Sequence, residues 1–316
     1  MNELSVKETA NLLSLHNNYV ILTHKRPDGD TLGCGAALCS ALRRAGKRAV
    51  LLRNGGATEK FVPFIERFYT RRGFQITNEY IITVDVASLT MLGDRLQFDV
   101  DLAIDHHGSN TRFANNLLLD ADASACGQII LKVIKELCGS VTKEEADLLY
   151  IALSTDTGCF QYGNTNADSF RAAAELCDLN ADIAALNHLF FRTFSKKRIA
   201  LEGAVMSSLR SYADGKITMA VITRSMISEA GAGDDDMDDL AALPGRVAGT
   251  LVSVTVKEND RGYSKLSLRS TGEVNVSDIC SKFGGGGHTM AAGCEIELVP
   301  EEAAEMIRAA IEEALP

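Results

Sequence analysis

No stretch of this sequence approaches the ~18 consecutive apolar residues that a membrane-spanning helix needs, and none of its cysteines stands in a CxxC pair. The first absence argues against a membrane protein. The opening run MNELSVKETANLLSLHNN carries Glu3, Lys7 and Glu8 where a secretory signal has a basic start and then an apolar core, so a cytoplasmic protein is expected. The eight cysteines show no paired framework, and a chain of 316 residues needs no staples, so they read as reduced core thiols. A basic excess is also missing. The 32 Lys and Arg against 42 Asp and Glu leave a net charge of −10, which repels a long polyanion such as DNA. Chemistry on nucleic acid would then need a short substrate or a local positive centre, and bound metal ions supply one. Internal repeats and low-complexity segments are absent too.

What is present is a globular composition, 46% hydrophobic and 23% charged, in a length that suits two domains. Over the first ~190 residues, short apolar runs alternate with helix-like stretches. Strands are expected at Tyr19–Thr23, Ala49–Arg53, Tyr80–Val84 and Leu102–Ile104, and helices from the THKRPDGD run to about Gly46 and at Gln128–Leu137, Lys143–Leu153 and Asp168–Cys177. That alternation predicts an α/β unit with a parallel sheet and helices on both faces, its sites at the carboxyl ends of the strands. From about Gly215 the pattern turns to strand, at Lys216–Thr223, Gly249–Lys257, Lys265–Arg269 and near Cys294–Val299, and ends in a helix at Pro300–Leu315. This predicts a smaller C-terminal α/β domain. The expected division is residues 1–188, a linker at 189–205, and residues 206–316. The acidic run Asp234-Asp235-Asp236, with Asp238 and Asp239, lacks the Gly and Glu of a calcium-binding EF-hand loop and reads as a solvated loop and helix start.

Chemistry-bearing residues gather at the ends of these elements. His24, Asp28 and Asp30 follow the first long strand in the run THKRPDGD, where Pro27 and Gly29 support a turn that lets an imidazole and two carboxylates converge. The plain alternative is a turn at Asp28-Gly29 with Asp30 as the N-cap of the next helix. Asp85 closes one strand, Asp105-His106-His107 another, and Asp156 lies just beyond a helical stretch; each aspartate alone could be a cap. Together they bring Asp or His to one edge of one sheet, and unpaired carboxylates crowded so closely are costly without a cation. A carboxylate-rich set with a minority of His suits Mn²⁺, and a shared aspartate suits a two-metal phosphoryl hydrolase. Zn²⁺ fits less well, because no Cys lies in these motifs. In the second domain, Arg269 in SLRS could clamp a phosphate, and Phe283-Gly284-Gly285-Gly286-Gly287-His288 could direct amides at an anion or form a flexible turn. The glycine run is not a P-loop, and Gly33-Cys34-Gly35 fails as a dinucleotide fingerprint.

The ordered set of HKRPDGD, Asp85, Asp105-His106-His107 and Asp156, followed by SLRS and FGGGGHTMAAG, resembles the DHH/DHHA1 phosphoesterase superfamily over nearly the whole chain. Length and domain pairing resemble its NrnA-type branch of oligoribonucleases (nanoRNases) and 3′-phosphoadenosine 5′-phosphate phosphatases. The resemblance implies two Mn²⁺ per chain, with Mg²⁺ or other divalent cations as substitutes. One ion would be held by His24, Asp28 and Asp85, the other by Asp30, Asp85, His106 and Asp156. It further implies that His107, supported by Asp105, faces the scissile phosphate. Arg269, Ser270, Gly284, Gly285, Gly286, Gly287 and His288 would bind substrate, with the active site in the cleft between the domains. Ala125-Cys126-Gly127-Gln128 departs from the family, which often reads Ser-Thr-x-Glu there.

The function expected on these grounds is metal-dependent hydrolysis of RNA about 2–5 nucleotides long to 5′-mononucleotides, together with conversion of 3′-phosphoadenosine 5′-phosphate to AMP and phosphate. Long DNA and membranes are not expected partners; a homodimer is. The rivals are a phosphodiesterase of linear or cyclic dinucleotide messengers and a metal-loaded nucleotide sensor without turnover.

Overall fold

The computed structural model describes residues 1–95, 98–233, 236–237 and 239–316, and the chain divides into two compact units, Met1–Thr193 and Phe194–Pro316.

In the first unit the elements run β1 (Asn2–Glu3), α1 (Val6–Leu15), β2 (Asn18–Leu22), α2 (Gly29–Arg44), β3 (Arg48–Leu51), α3 (Val62–Ile65), β4 (Tyr80–Val84), β5 (Leu102–Asp105), β6 (Asn116–Leu119), α4 (Cys126–Cys138), α5 (Lys143–Asp156), α6 (Ala167–Asp178) and α7 (Ile183–Asn187). The strands form one six-stranded parallel sheet in the order β1-β6-β5-β4-β2-β3. Near-continuous apolar runs such as Tyr19–Leu22 are what strands covered on both faces require. On one face Ile21, Ile82, Val84 and Ile104 pack with Leu38 and Leu42 of α2, Ile130 and Ile134 of α4 and Leu149 and Leu153 of α5. On the other, Leu22, Ile81, Ala103 and Leu117 meet Val86, Val100, Ala114 and Leu92, the last in a short 3₁₀ segment at Leu89–Arg95. The chain leaves β2 for β3 on one side and returns to β4 on the other. The carboxyl ends of β2 and β4 therefore flank the point where strand order reverses, the usual crevice for ligands in such sheets.

Helices α2 and α5 approach at small residues. A Cβ at Gly29 would stand 2.3 Å from the Thr155 hydroxyl, and one at Gly33 would stand 2.4 Å from the Leu148 carbonyl oxygen. This contact sets the C-terminus of α5 beside the N-terminus of α2, and so Asp156 beside Asp28 and Asp30.

The second unit runs α8 (Lys196–Ser207), β7 (Arg210–Tyr212), β8 (Ile217–Ile222), α9 (Arg224–Ala230), β9 (Val252–Glu258), β10 (Ser264–Ser270), α10 (Val276–Ser281), β11 (Gly286–His288), β12 (Ala291–Ile296) and α11 (Pro300–Glu312). Its sheet, β11-β12-β10-β9-β8-β7, is antiparallel except for the β8–β9 pair. Val254, Val256, Leu266 and Leu268 pack with Ile279 of α10 and Ile307 and Ile311 of α11. Ala220 and Ile222 pack against Leu201 and Val205 of α8.

Several boundaries differ from the sequence expectation. Four strands were not anticipated: β1, whose two residues are both exposed, β6, β7 and β11. Helix α5 runs through Asp156, which is its last residue rather than a residue beyond it. In the acidic run, Asp234, Asp235 and Asp238 lie outside the described residues. Asp236 accepts hydrogen bonds from the Ser195 hydroxyl and the Gly233 amide, and Asp239 precedes a short 3₁₀ segment. No helix among the described residues is long and apolar enough to cross a membrane.

Candidate metal centre and anion row

His24 follows β2 by two residues and is buried, with Asn54 donating to its carbonyl oxygen. The next helix starts five residues on, at Gly29, and its N-cap is Asp28, not Asp30: the Asp28 carboxylate accepts from the Asp30 and Thr31 amides at 3.1 Å. Asp30 is thereby freed for a different task. Its two oxygens accept the amides of Cys126 and Gly127, at 2.7 and 3.0 Å, at the N-terminus of α4, whose own N-cap Ala125 has no capping side chain. Two orphan amides and the positive end of the helix dipole thus fix a fully buried carboxylate 96 residues away in sequence.

Asp85 immediately follows β4 with φ +58°, a left-handed conformation uncommon outside glycine, and the Thr31 hydroxyl ties α2 to the Val84 carbonyl just before it. Strain of this kind persists where the surroundings fix it. Asp85 is buried, and its Oδ1 has no hydrogen-bond partner.

His106 donates through Nδ1 to the Ala123 carbonyl, 3.0 Å away, which leaves Nε2 as the nitrogen that faces the carboxylates. That Nε2 lies 3.5 Å from Asp85, 3.7 Å from Asp156 and 3.8 Å from Asp30. On the other side of Asp85, His24 Nε2 lies 3.6 Å from Asp85 Oδ2 and 3.5 Å from Asp28. Three compact donor sets result among the described residues, His24–Asp28–Asp85, Asp30–His106–Asp156 and Asp85–His106–His107, with Asp85 facing His24 and His106 through different oxygens. His107 bonds Asp105 through Nδ1 at 2.8 Å, which turns its Nε2 away from that carboxylate. Asp105 is fully buried and takes a second bond from Asn110 at 2.7 Å.

Protonation reflects the crowding. Burial works against charge on His24, but hydrogen bonds and attraction from Asp28 and Asp85 outweigh it and push the imidazole up to about 9. The same contest at His106, with Asp85 and Asp30 as partners, ends at about 10. Burial, then the charges of Asp85 and Asp156, holds the Asp30 carboxyl well above its ordinary value. Burial pushes Asp156 up to about 6, although His106 pulls it down. His107 is raised, chiefly by Asp105. Buried carboxyls raised by one another's charge, beside imidazoles raised by those carboxylates, form a crowded donor set that a positive centre would relieve. The unpartnered buried Oδ1 of Asp85 fits the same description, so these residues suit divalent cations.

In the second unit the register places His288 opposite Ala291 and Ala291 opposite Arg269, so the imidazole and the guanidinium occupy one row, on one face of the sheet, with only a methyl group between. Both are exposed. The glycine run differs from expectation. The Gly284 and Gly285 amides donate to Ser281 and Cys280 carbonyls at the end of α10, at 3.1 and 2.9 Å, so they are not free for an anion. Gly285 is small because a Cβ there would stand 2.2 Å from the Gly293 carbonyl oxygen. The Ser270 hydroxyl accepts from the Gly272 amide and serves the turn after β10.

Sequence reasoning missed Asn110, Asn54 and the Ala123 carbonyl. Asn110 alone left a signal, as the end of the turn His107-Gly108-Ser109-Asn110. Gln128, in the departing stretch, is buried and bonds the Ser124 amide at 2.7 Å; it closes the entry to α4.

Residues 18–153 match the DHH family, N-terminal domain, and residues 214–315 match the DHHA1 domain. The pair in this order defines a hydrolase of the DHH phosphoesterase class. A Thermus thermophilus protein named bifunctional oligoribonuclease and PAP phosphatase NrnA is 33% identical, over 93% of this chain and 89% of its own. A Bacillus subtilis protein of the same name is 24% identical over 92% of each. The chain belongs to this NrnA-type family of DHH/DHHA1 phosphoesterases. Among solved structures, an exopolyphosphatase-related protein from Bacteroides fragilis superposes with a TM-score of 0.87 at 22% identity, covering 98% of this chain and 96% of that one. The exonuclease RecJ bound to manganese superposes at 0.54 with 16% identity, covering 99% and 94%.

Proposed function

We propose that this protein hydrolyses very short oligoribonucleotides to 5′-mononucleotides and 3′-phosphoadenosine 5′-phosphate to AMP and phosphate, using two Mn²⁺ per chain. The observation that carries the reading is the placement of Asp85. One buried carboxylate faces His24 with Oδ2 and His106 with Oδ1, as the shared ligand of a two-metal site must. The relatives named as oligoribonuclease and PAP phosphatase support the substrate class, and the manganese in RecJ supports the metal.

His24, Asp28 and Asp85 would hold one cation; Asp30, Asp85, His106 and Asp156 would hold the other. When bound, such a pair acidifies water and neutralises charge on a phosphoryl group. The protein's own groups do the rest. The Cys126 and Gly127 amides keep Asp30 aimed at the cluster. Asp105, itself fixed by Asn110, holds the Nδ1 proton of His107 and favours the imidazolium, so Nε2 can donate to a phosphate oxygen as negative charge develops. Arg269 and His288 hold a second phosphate of the substrate, with the Gly286 and Gly287 backbone beside them.

Purified protein assayed with Mn²⁺ and then Mg²⁺ on di- to decanucleotides, cyclic dinucleotides and 3′-phosphoadenosine 5′-phosphate tests this. Release of mononucleotide from dimers, ahead of decamers and cyclic dinucleotides, is expected. A preference for cyclic dinucleotides would transfer the assignment to messenger hydrolysis, and nucleotide binding without product would make the protein a sensor.

A further inference from the structure

One segment beside the cluster is still unexplained by the reading above, the turn Thr157–Thr165 directly after Asp156. Its backbone is left-handed at Gly158, Cys159 and Phe160 in succession, with φ of +56°, +56° and +65°. Two of these are not glycine, and such conformations persist only where surrounding structure imposes them. Here the turn is anchored to the cluster itself. The Asn164 side-chain amide donates to the carbonyl oxygens of Asp156 and Ser124, and the Gln161 and Tyr162 amides return to the Thr157 carbonyl.

The anchored turn carries an aromatic ring. A Cβ on Gly158 would stand 2.4 Å from two ring atoms of Tyr162, so the ring lies directly on the Gly158 backbone, and Tyr162 is still 52% exposed. Gly158 is two residues from Asp156, at most ~7.6 Å along the Cα trace. A ring lying on backbone two residues from Asp156, with half its surface open to solvent, offers a stacking face near that end of α5. Phe160, two residues earlier, packs against the core and stacks on Phe170, whereas the Tyr162 ring is half exposed.

We propose that Tyr162 stacks on the nucleobase of the nucleotide whose phosphate reaches the Asp85 cluster, so that this subsite binds a nucleoside monophosphate through its base as well as its phosphate. The proposal rests on the phosphoesterase reading above. Stacking tolerates any base, since every base has a π-face, and this suits an enzyme of short RNA without sequence preference.

The test is calorimetric binding of AMP and of ribose 5-phosphate to the Mn²⁺-loaded protein, for wild type and for Tyr162→Leu, Tyr162→Ala and Tyr162→Trp. Wild type should favour AMP by at least about tenfold, the scale of one stacked base. Tyr162→Leu and Tyr162→Ala should lose that preference with ribose 5-phosphate affinity unchanged, and Tyr162→Trp should keep it. A merely structural role would weaken both ligands together, because the ring supports the turn that leads from Asp156. Equal affinity of wild type for the two ligands, parallel loss of both in the leucine variant, or an intact preference in that variant each overturns the proposal. The readout does not depend on turnover: failure of wild type to cleave dinucleotides would sink the proposed function and leave the AMP preference to be judged by itself.

Discussion

His106 Nε2 lies 3.5 Å from Asp85 Oδ1, a buried oxygen with no hydrogen bond of its own, and the imidazole is aimed there because its other nitrogen is held by the Ala123 carbonyl. The pair is close enough to share a cation and too far apart to satisfy each other. That relationship is repeated between His24 and the other oxygen of Asp85, 3.6 Å apart.

Metal and protons should compete. In the metal-free protein His24 and His106 are raised to about 9 and about 10, above the ordinary value near 6.5, so both carry protons at neutral pH. A raised pKa stabilises the fold fully below the unfolded value, and that contribution is lost as pH climbs through 9 to 10. Metal ligation needs neutral imidazoles. Mn²⁺ binding at pH 7 should therefore release about two protons per chain, and the thermal stabilisation by Mn²⁺ should grow from pH 7 to pH 8.5. Calorimetry in buffers of different ionisation enthalpy checks this; proton uptake, or stabilisation that shrinks over that range, would contradict it.

Mn²⁺ should support faster hydrolysis than Mg²⁺ at equal concentration, because imidazole ligands such as His24 and His106 suit Mn²⁺ better than the harder ion. Rates measured with metal content verified decide the point. Equal or better activity in Mg²⁺ would count against the ligand set.

The close approach of α2 to α5 should be intolerant of a single methyl group. Gly33→Ala places a carbon about where the Leu148 carbonyl oxygen already stands, a contact of 2.4 Å that backbone must move to relieve. A cost of about 1–3 kcal/mol is expected in denaturant unfolding. Because the same contact aligns Asp156 with Asp30, Mn²⁺ affinity should fall as well. Unchanged stability and metal binding would show that the helices do not set the site.

Arg269→Ala should lower kcat/KM on a dinucleotide by on the order of 10²-fold, the effect of losing a charged hydrogen-bond partner. Metal content should not change, since Arg269 and the donor cluster lie in separate units. On bis-p-nitrophenyl phosphate, which has no second phosphate, the loss should be far smaller. An equal loss on both substrates would remove Arg269 from the second-phosphate role. His288→Ala should resemble Arg269→Ala if the register row across β11, β12 and β10 acts as one anion site.

Much of the first sheet was legible because parallel strands buried on both faces are short apolar runs, and Tyr80–Val84 and Leu102–Ile104 stand out on that ground. The candidate donors were legible for a related reason: His24, Asp85 and His106 follow those strands, where polar residues are conspicuous. The edge strand β1 was not, since Asn2 and Glu3 pair only through backbone and bury nothing. The bonds that fix Asp30 were not legible because the amides it accepts belong to a helix 96 residues away, and an amide has no letter in the sequence. The glycine run misled in the opposite direction. Its residues suggested amides offered to an anion, but Gly284 and Gly285 spend theirs on α10, and Gly285 is small for packing against β12.

The most direct test of the account is Mn²⁺ stoichiometry and turnover in Asp85→Asn beside wild type, by calorimetric titration with metal analysis and a dinucleotide assay. Wild type should bind two Mn²⁺ per chain. The variant should bind fewer than two and lose turnover by on the order of 10³-fold, because one carboxylate faces His24 with one oxygen and His106 with the other. Two tightly bound Mn²⁺ and a near-normal rate in Asp85→Asn would contradict it.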